Sequence, residues 1–442
     1  MDIRLPYSKR KRYLTGVDWS VNTLDSLSKQ ATGHGNSSQI VFSLGGALDP
    51  ETLRATLRGL FEAHPVLTGR VGRDWNLCPY WRMGRPRAQA VPLSVESGGD
   101  EPLERILPRF HRHVNAPFAS QRDHLHFHLV QQGPHRSWLG MHFDHRLLDA
   151  FGAEVFMELV HRAWSGLENP YAARDPLTKQ AHLDQWARRF VAGRNVNRRL
   201  LNLTRGGVAN FPIPPVRAPR DTRFEHIFFE PGESARILNA AERESGFLMV
   251  LPSLLARALR AVHRLAARRG RAVDHYVVPV SVVRRNPDAV WEDLFFNQMS
   301  FVIFQVPVRL AETGDELVAC LRDQLYEQVK SGLPEDFYHA SMLTRIAPLA
   351  LMRLVAKLPA AGKVGTIVFA CLKESGYSLP EFMGLPVDNL FHTPHVPPPP
   401  GVGIFLNQFR GRLNLVLSHL DGILPGDDAA QLTSDVRESL LA

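Results

Sequence analysis

The stretch MHFDHRLLDAFGAE, Met141 to Glu154, sets His142, Asp144, His145, Asp149 and Glu154 in an otherwise apolar neighbourhood. A strand-like run, SWLGMHF (137–143), leads into it, and a helix-like run, AEVFMELVHRAW (153–164), leads out. A histidine at a strand-to-loop junction can serve as general base: its pKa lies near neutrality, so it can take a proton and return it within one turnover. Attack of a hydroxyl or amine on a thioester asks for little else. The two reactants must be held together, the acceptor proton removed, and the tetrahedral oxyanion stabilised. Asp149 suits a structural part, capping free N–H groups of the helix or pairing with an arginine. Asp144 is adjacent to His145 and can orient a histidine. The small Ala150 and Gly152 permit close approach of a substrate or of backbone. Spacing alone leaves the bland reading open, a hydrogen-bonded histidine beside a helix cap, since short motifs recur by chance.

Working outward, 442 residues are too many for one simple core and predict two to three domains or subdomains. The 44% hydrophobic and 22% charged fractions are those of a globular protein. No 18-residue apolar run is present, so no transmembrane helix is expected. The N-terminus MDIRLPYSKRKRYLTG lacks the apolar core of a secretory signal, and a cytoplasmic location is the expectation. Cys78, Cys320 and Cys371 are far apart and odd in number, which gives no support to a disulfide framework or a zinc site. The net charge of +8 includes local basic clusters at Lys9–Arg12 and Ala267–Ala272. Such clusters are usually solvated faces, and they can attract an anionic partner such as nucleotide phosphates or an acidic carrier protein. No nucleic-acid fold signature accompanies them, and nucleic acid is not an expected partner.

Along the chain, the segment to about Ser37 reads as loop, and SQIVFSLGG (38–46) as a strand. Asp49 as N-cap and Pro50 at the first position open a helix whose face is Leu53, Leu57, Leu60 and Phe61. His64-Pro65 ends it, and VLTGRV reads as the next strand. PLERILPRFHRHV reads as a helix. HLHFHLVQ then alternates, with His124, His126 and His128 on one strand face. Histidines at that spacing can meet a metal, but no carboxylate or cysteine is arranged in sequence to complete a ligand set, so no metal is expected. Residues 195–223, with GG, PIPP and APRD, are the linker candidate between an N-terminal unit 1–194 and a C-terminal unit 224–442. Beyond it come strands at FEHIFFE, HYVVPVSVV, MSFVIFQVPV, TIVFACL, VGIFLNQF and RLNLVLSHL. Helices are expected at 251–270, 315–330, 348–357 and 428–441. Interspersed strands and helices in both halves predict a mixed α/β class. The stiff VPPPPGVG (396–403) is expected to deliver the chain into a strand.

DHRLLDAFG resembles the HHxxxDG motif of the superfamily of condensation domains and chloramphenicol-acetyltransferase-like acyltransferases, which includes wax-ester-synthase-like and polyketide-associated enzymes. LDPETLRATLRGLFEAHPVLTGRV, HYVVPVSVVRRN, FNQMSFVIFQVPV and GVGIFLNQFRGRLNLVLSHLDG are similar to further landmarks of that group, in its order, over about residues 40 to 440. The resemblance implies two acetyltransferase-like lobes in a V with a tunnel between them. It implies that His145 is the base and that Asp149 pairs with an arginine of the second lobe, for which Arg284 and Arg285 are candidates, because Val283 stands at the family position. Ser300 and Asn407 are candidates to assist the oxyanion. Asp144 replaces the first motif histidine, Ala150 replaces the motif glycine, and Ala370-Cys371 stands where many relatives have Ser-Asn. The plant DFGWG motif is absent, which argues against the plant branch.

The implied activity is acyl transfer from acyl-CoA or an acyl carrier protein to a hydroxyl or amine. The thioester is co-substrate, and no permanently bound cofactor or metal is called for. The alternatives are a condensation enzyme forming an amide between carrier-bound substrates in trans, and a catalytically silent binding module of the same fold. Peripheral contact with a membrane is compatible with either.

Overall fold

The computed structural model is described for residues 11–84, 91–171, 185–203, 207–211, 213, 219–246, 249–270, 274–285, 290–313, 316–357, 365–372 and 375–442. Its first half runs β1 (Lys11–Tyr13), α1 (Gly16–Thr32), β2 (Ser37–Leu44), α2 (Pro50–Ala63), β3 (Arg70–Arg73), β4 (Pro79–Arg82), β5 (Leu93–Ser97), α3 (Leu103–Val114), β6 (Leu125–Gln132), β7 (Arg136–Asp144), α4 (Ala150–Trp164) and α5 (Trp186–Leu203). The second half runs β8 (Thr222–Phe228), α6 (Pro231–Ser245), α7 (Leu251–Arg268), β9 (His275–Val283), β10 (Met299–Pro307), α8 (Val308–Thr313), α9 (Leu317–Lys330), α10 (Leu333–Thr344), α11 (Leu349–Lys357), β11 (Val368–Leu372), β12 (Glu381–Phe382), β13 (Leu385–Pro394), β14 (Val402–Phe409), β15 (Arg412–Leu420) and α12 (Asp428–Leu441).

Two six-stranded mixed sheets result, ordered β12-β13-β2-β7-β6-β5 and β10-β9-β11-β14-β15-β8, with a small sheet β1-β4-β3 beside them. Each large sheet has its own core. In the first, Ile40, Phe42, Phe127, Leu139 and Met141 pack with Leu53 and Leu57 of α2 and Phe156 and Met157 of α4. In the second, Val278, Phe304, Ile404 and Leu415 pack with Leu254, Leu259 and Val262 of α7 and Leu432 and Val436 of α12. Burial on this scale, at about 25 cal/mol per Å² of apolar surface, is what holds each lobe. Strand β5 pairs parallel with β6, so a crossover is required, and α3 supplies it on the face opposite α2 and α4.

Asp49 caps α2 as expected, its carboxylate accepting the Thr52 N–H at 2.8 Å. Other expectations are corrected. The segment expected to be loop up to Ser37 contains α1, closed at its start by a reciprocal capping box between Thr15 and Asp18. This helix packs against α10 and α11 and buries polar Asp18, Asn22, Thr23 and Asp25 along with its apolar residues. A buried helix with polar contacts on several sides shows no clean stripe in sequence. VLTGRV is a single 3-10 turn at Pro65–Thr68 followed by β3.

The expected division at 195–223 does not coincide with the division by sheet. Residues 195–203 complete α5, which packs on α10, and β12 and β13, from the C-terminal half, join the first sheet beside β2. The segment between β13 and β14 carries the chain back to the second sheet, so VPPPPGVG does enter a strand. Parts of the basic clusters, Lys9, Arg10, Arg271 and Ala272, lie outside the described residues. Among the described residues, no helix is long and apolar enough to cross a membrane.

Several buried histidines fit the fold only as neutral rings. His142 and His395 are 2% and 5% exposed. Burial pushes His142 down to about 3 and His395 well below the ordinary 6.5. The unfolded chain takes up these protons near pH 6.5, so the stability they allow is full above that pH and is lost as pH falls below it. Urea unfolding should therefore show a loss of about 2 kcal/mol per such group on going to pH 5, and His142→Gln should flatten the dependence. An unfolding midpoint that does not change over this range would contradict the neutral burial.

Candidate functional site

His145 is the first residue beyond β7, and both of its backbone polar groups are held. Its N–H donates to the Asn36 carbonyl at 3.1 Å, and its carbonyl accepts from Asn297 Nδ2 at 2.7 Å. Asn297 is itself fixed by its backbone N–H, which donates to Asp18 Oδ1 at 3.3 Å. The His145 ring is half-buried, edge-on to Phe143. Burial pulls its pKa below the ordinary value and the charge of His392 adds to this. Asp149, Asp144 and a hydrogen bond with the Leu148 backbone work in the other direction. The net result is a neutral imidazole at neutral pH, the form able to accept a proton.

Asp149 caps α4, its Oδ1 accepting the Gly152 N–H at 2.8 Å. The same oxygen pairs with Arg285 Nη2 at 2.5 Å, and Oδ2 accepts the Gln298 N–H at 3.1 Å. Both partners come from the segment joining β9 to β10, so this carboxylate ties the first sheet's helix to the second sheet. Arg285 is 3% exposed at its side chain, also donates to the Asp293 carbonyl, and lies over the Phe151 ring. Close approach here needs glycine. A Cβ on Gly152 would stand 2.6 Å from the Leu294 carbonyl oxygen and 3.0 Å from Arg285 Nη2. Backbone contact continues where the Phe296 N–H donates to the Leu147 carbonyl at 2.6 Å.

Of the two arginine candidates, Arg285 makes the pair. Arg284 instead lies over the Tyr338 ring, 4.3 Å from its centroid. Val283 ends β9 and is exposed. Asp144 does not orient His145. Its carboxylate accepts from His124 Nδ1 at 2.8 Å and from Arg146 Nη2 at 2.6 Å. Although burial opposes ionisation, Arg146 and His124 hold Asp144 well below the usual carboxylate range.

The oxyanion candidates make contacts of their own. Ser300 is buried and donates its only hydroxyl proton to the Pro334 carbonyl at 2.5 Å, joining β10 to α10. Asn407 Nδ2 donates to the Leu390 carbonyl at 2.9 Å, where Asn389 and Asn414 also bond across the two large sheets. Both therefore tie elements together, and no hydrogen bond among the described residues brings either to His145. Ala370 and Cys371 lie in β11, paired with Phe405 and Leu406 of β14.

Two groups escaped the sequence reading. His392 Nε2 meets Glu154 Oε1 at 2.6 Å, both buried, and Glu154 Oε2 also accepts from Ser375 Oγ at 2.8 Å and from the Gly376 N–H. Glu154 stands in the quoted motif, but its partner lies on β13, which the sequence did not reveal. The second group is a polar lining. His34, Gln39, His142, Thr393 and His395 carry buried side-chain atoms with no hydrogen-bond partner among the described residues. Gln39 pairs with both His142 and Thr393 across the sheet. His395 meets the same end of β2 as His145, its N–H donating to the Ser37 carbonyl at 3.1 Å. An unmet buried polar group costs about 1–3 kcal/mol, so a face with this many suits a hydrogen-bonding occupant.

The Asp149 arrangement predicts that Asp149→Ala unfolds about 3–5 kcal/mol more easily, because it leaves the buried Arg285 charge without its carboxylate. Asp149→Ala combined with Arg285→Met should recover part of that loss in urea unfolding. A cost below about 1 kcal/mol for the single substitution would mean the pair does not anchor the lobes.

No protein-family description matches the sequence, and no curated protein matches it. Solved structures do. The first condensation domain of the calcium-dependent antibiotic synthetase, with a substrate analogue, is 17% identical over 98% of this chain and 96% of its own, with a TM-score of 0.69. A trichothecene 15-O-acetyltransferase from Fusarium sporotrichioides is 13% identical over 99% and 96%, with a TM-score of 0.72. The epimerization domain of the third module of tyrocidine synthetase B is 14% identical over 98% and 96%, with a TM-score of 0.66. With its two mixed sheets joined at the His145 turn, the chain has the two-lobed fold of the superfamily of condensation domains and chloramphenicol-acetyltransferase-like enzymes.

Proposed function

We propose that the protein is an acyltransferase that moves an acyl group from a thioester, carried by coenzyme A or by the phosphopantetheine arm of a carrier protein, to a hydroxyl or amine. The observation that carries this reading is His145. It is neutral, half-buried, and held at both backbone groups at the turn where the lobes meet. Likeness to condensation domains and an acetyltransferase supports the general class of reaction. Likeness to an epimerization domain is a reminder that one fold hosts several chemistries, so the residues have to carry the argument.

In this reading the acceptor attacks the thioester carbonyl carbon while His145 takes its proton. The tetrahedral intermediate then collapses, the C–S bond breaks, and the imidazolium returns the proton to the departing thiolate. No enzyme nucleophile takes part. Asp149 and Arg285 keep the two lobes in register around the base and are positioning residues. The polar lining at His34, Gln39, His142 and His395 favours an acceptor or pantetheine segment rich in hydrogen-bonding groups over a bare hydrocarbon. The amide-forming reaction between carrier-bound partners uses the same base and differs only in donor and acceptor. Peripheral association with a membrane is compatible with both.

Purified protein incubated with acyl-CoA and acyl-carrier donors, and with alcohol and amine acceptors, should give acylated product by mass spectrometry. His145→Ala should lower the rate about 10²–10⁴-fold with its unfolding midpoint unchanged. Product formation that survives His145→Ala would sink the mechanism. Absence of product with every donor class would favour the silent binding module.

A further inference from the structure

We propose that Glu96, His113 and His128 form a binding site for a divalent transition-metal ion beneath α3, apart from the His145 turn. The sequence places His128 on a strand face with two other histidines and offers no nearby carboxylate. The fold supplies one. Parallel pairing of β5 with β6 sets Ser94 opposite His128 and Glu96 opposite Val130, so Ser94 and Glu96 share the His128 face. The crossover helix α3 lays His113 on top.

The three ligand atoms lie within 4.8 Å of one another. Glu96 Oε1 is 3.8 Å from His113 Nε2 and 3.9 Å from His128 Nε2, and the two ring centroids are 3.6 Å apart with a 33° tilt. His128 is 1% exposed, and its Nε2 has no hydrogen-bond partner among the described residues. Ser94 Oγ lies 2.8 Å from His128 Nδ1 and 3.4 Å from the Phe127 carbonyl oxygen. With the Nδ1 proton turned toward Ser94, Nε2 would present a lone pair toward the carboxylate, an arrangement that a cation would relieve. The Nδ1 bond to Ser94 is the kind of outer contact that orients a metal-ligating imidazole.

Other features agree. The charge of Arg109 is met by Glu101 in a two-pronged pair at 2.7 and 2.8 Å, with a 3.3 Å contact to Glu96 Oε2, so Oε1 stays free for the histidines. Arg112 opposes a cation at both imidazoles, and Arg109 does so at His128. An open groove of about 700 Å³, lined by Glu96, Glu101, Arg105, Arg109 and Arg112, gives an ion its route in and gives water the remaining coordination position. Two imidazoles, one carboxylate and water form a set suited to Zn²⁺, and to Co²⁺ as its spectroscopic substitute. Closing on an ion brings ligand atoms to about 3.4 Å apart. The partly exposed Glu96 and His113, at 35% and 20%, have room for that movement. The ion would pin α3 to β5 and β6.

The test uses the full chain, stripped with a chelator and titrated with Co²⁺. One equivalent should bind, with visible absorption of a four- or five-coordinate site, and stoichiometric Zn²⁺ should displace it and raise the melting temperature. His113→Gln and Glu96→Gln, both outside the hydrophobic core, should each weaken binding at least about tenfold, whereas exposed His135→Gln should not. Absence of saturable Co²⁺ binding, or an affinity that neither ligand substitution changes, would overturn the site.

Discussion

One carboxylate holds the two halves of this molecule in working relation. Asp149 caps α4, pairs with Arg285 and accepts the Gln298 N–H, so a single side chain meets a helix N-terminus, a buried guanidinium and a strand-entry backbone. Each interaction alone is modest. Their sum matters because Arg285 is nearly sealed from water. A charge in that position costs several kcal/mol unless it is paired. The pair therefore selects one relative placement of the two sheets, and the turn carrying His145 is defined by that placement. Gly152 completes the constraint by letting the Leu294 carbonyl come close.

Around this anchor the region between the lobes is polar. Asn389, Asn407 and Asn414 bond across the sheets, His392 meets Glu154, and a group of neutral histidines surrounds the end of β2. Hydrophobic burial builds each lobe and is non-directional, so it does not fix how two lobes sit together. Hydrogen bonds and ion pairs are directional, and at this interface they do so. Neutral burial of the imidazoles makes the arrangement sensitive to acid.

Departures from the motif that the sequence resembles acquire local explanations. Asp144, in place of the first histidine, does not turn toward His145 but fastens His124 and Arg146 behind it. Gly152, two residues beyond Ala150, sits where backbone crowds α4. Ser300 and Asn407, oxyanion candidates by resemblance, also tie elements together. The face of His128 read as a plain polar strand face because its carboxylate neighbour lies on another strand, 32 residues earlier in the chain.

The strand-to-helix junction at Met141–Glu154, the Asp49 cap, the mixed α/β class and the part of Asp149 as helix cap and arginine partner were legible in the sequence. They depend on local periodicity and on short-range capping, which neighbouring residues encode by themselves. What sequence could not show was α1, whose buried polar residues hide its stripe, and β13, which leaves the C-terminal half to join the first sheet. It could name two arginines for Asp149 but not choose between them. It also could not bring Glu96 to His113 and His128, or His392 to Glu154. Those choices belong to tertiary structure, because strand pairing and burial join residues that the chain itself keeps far apart.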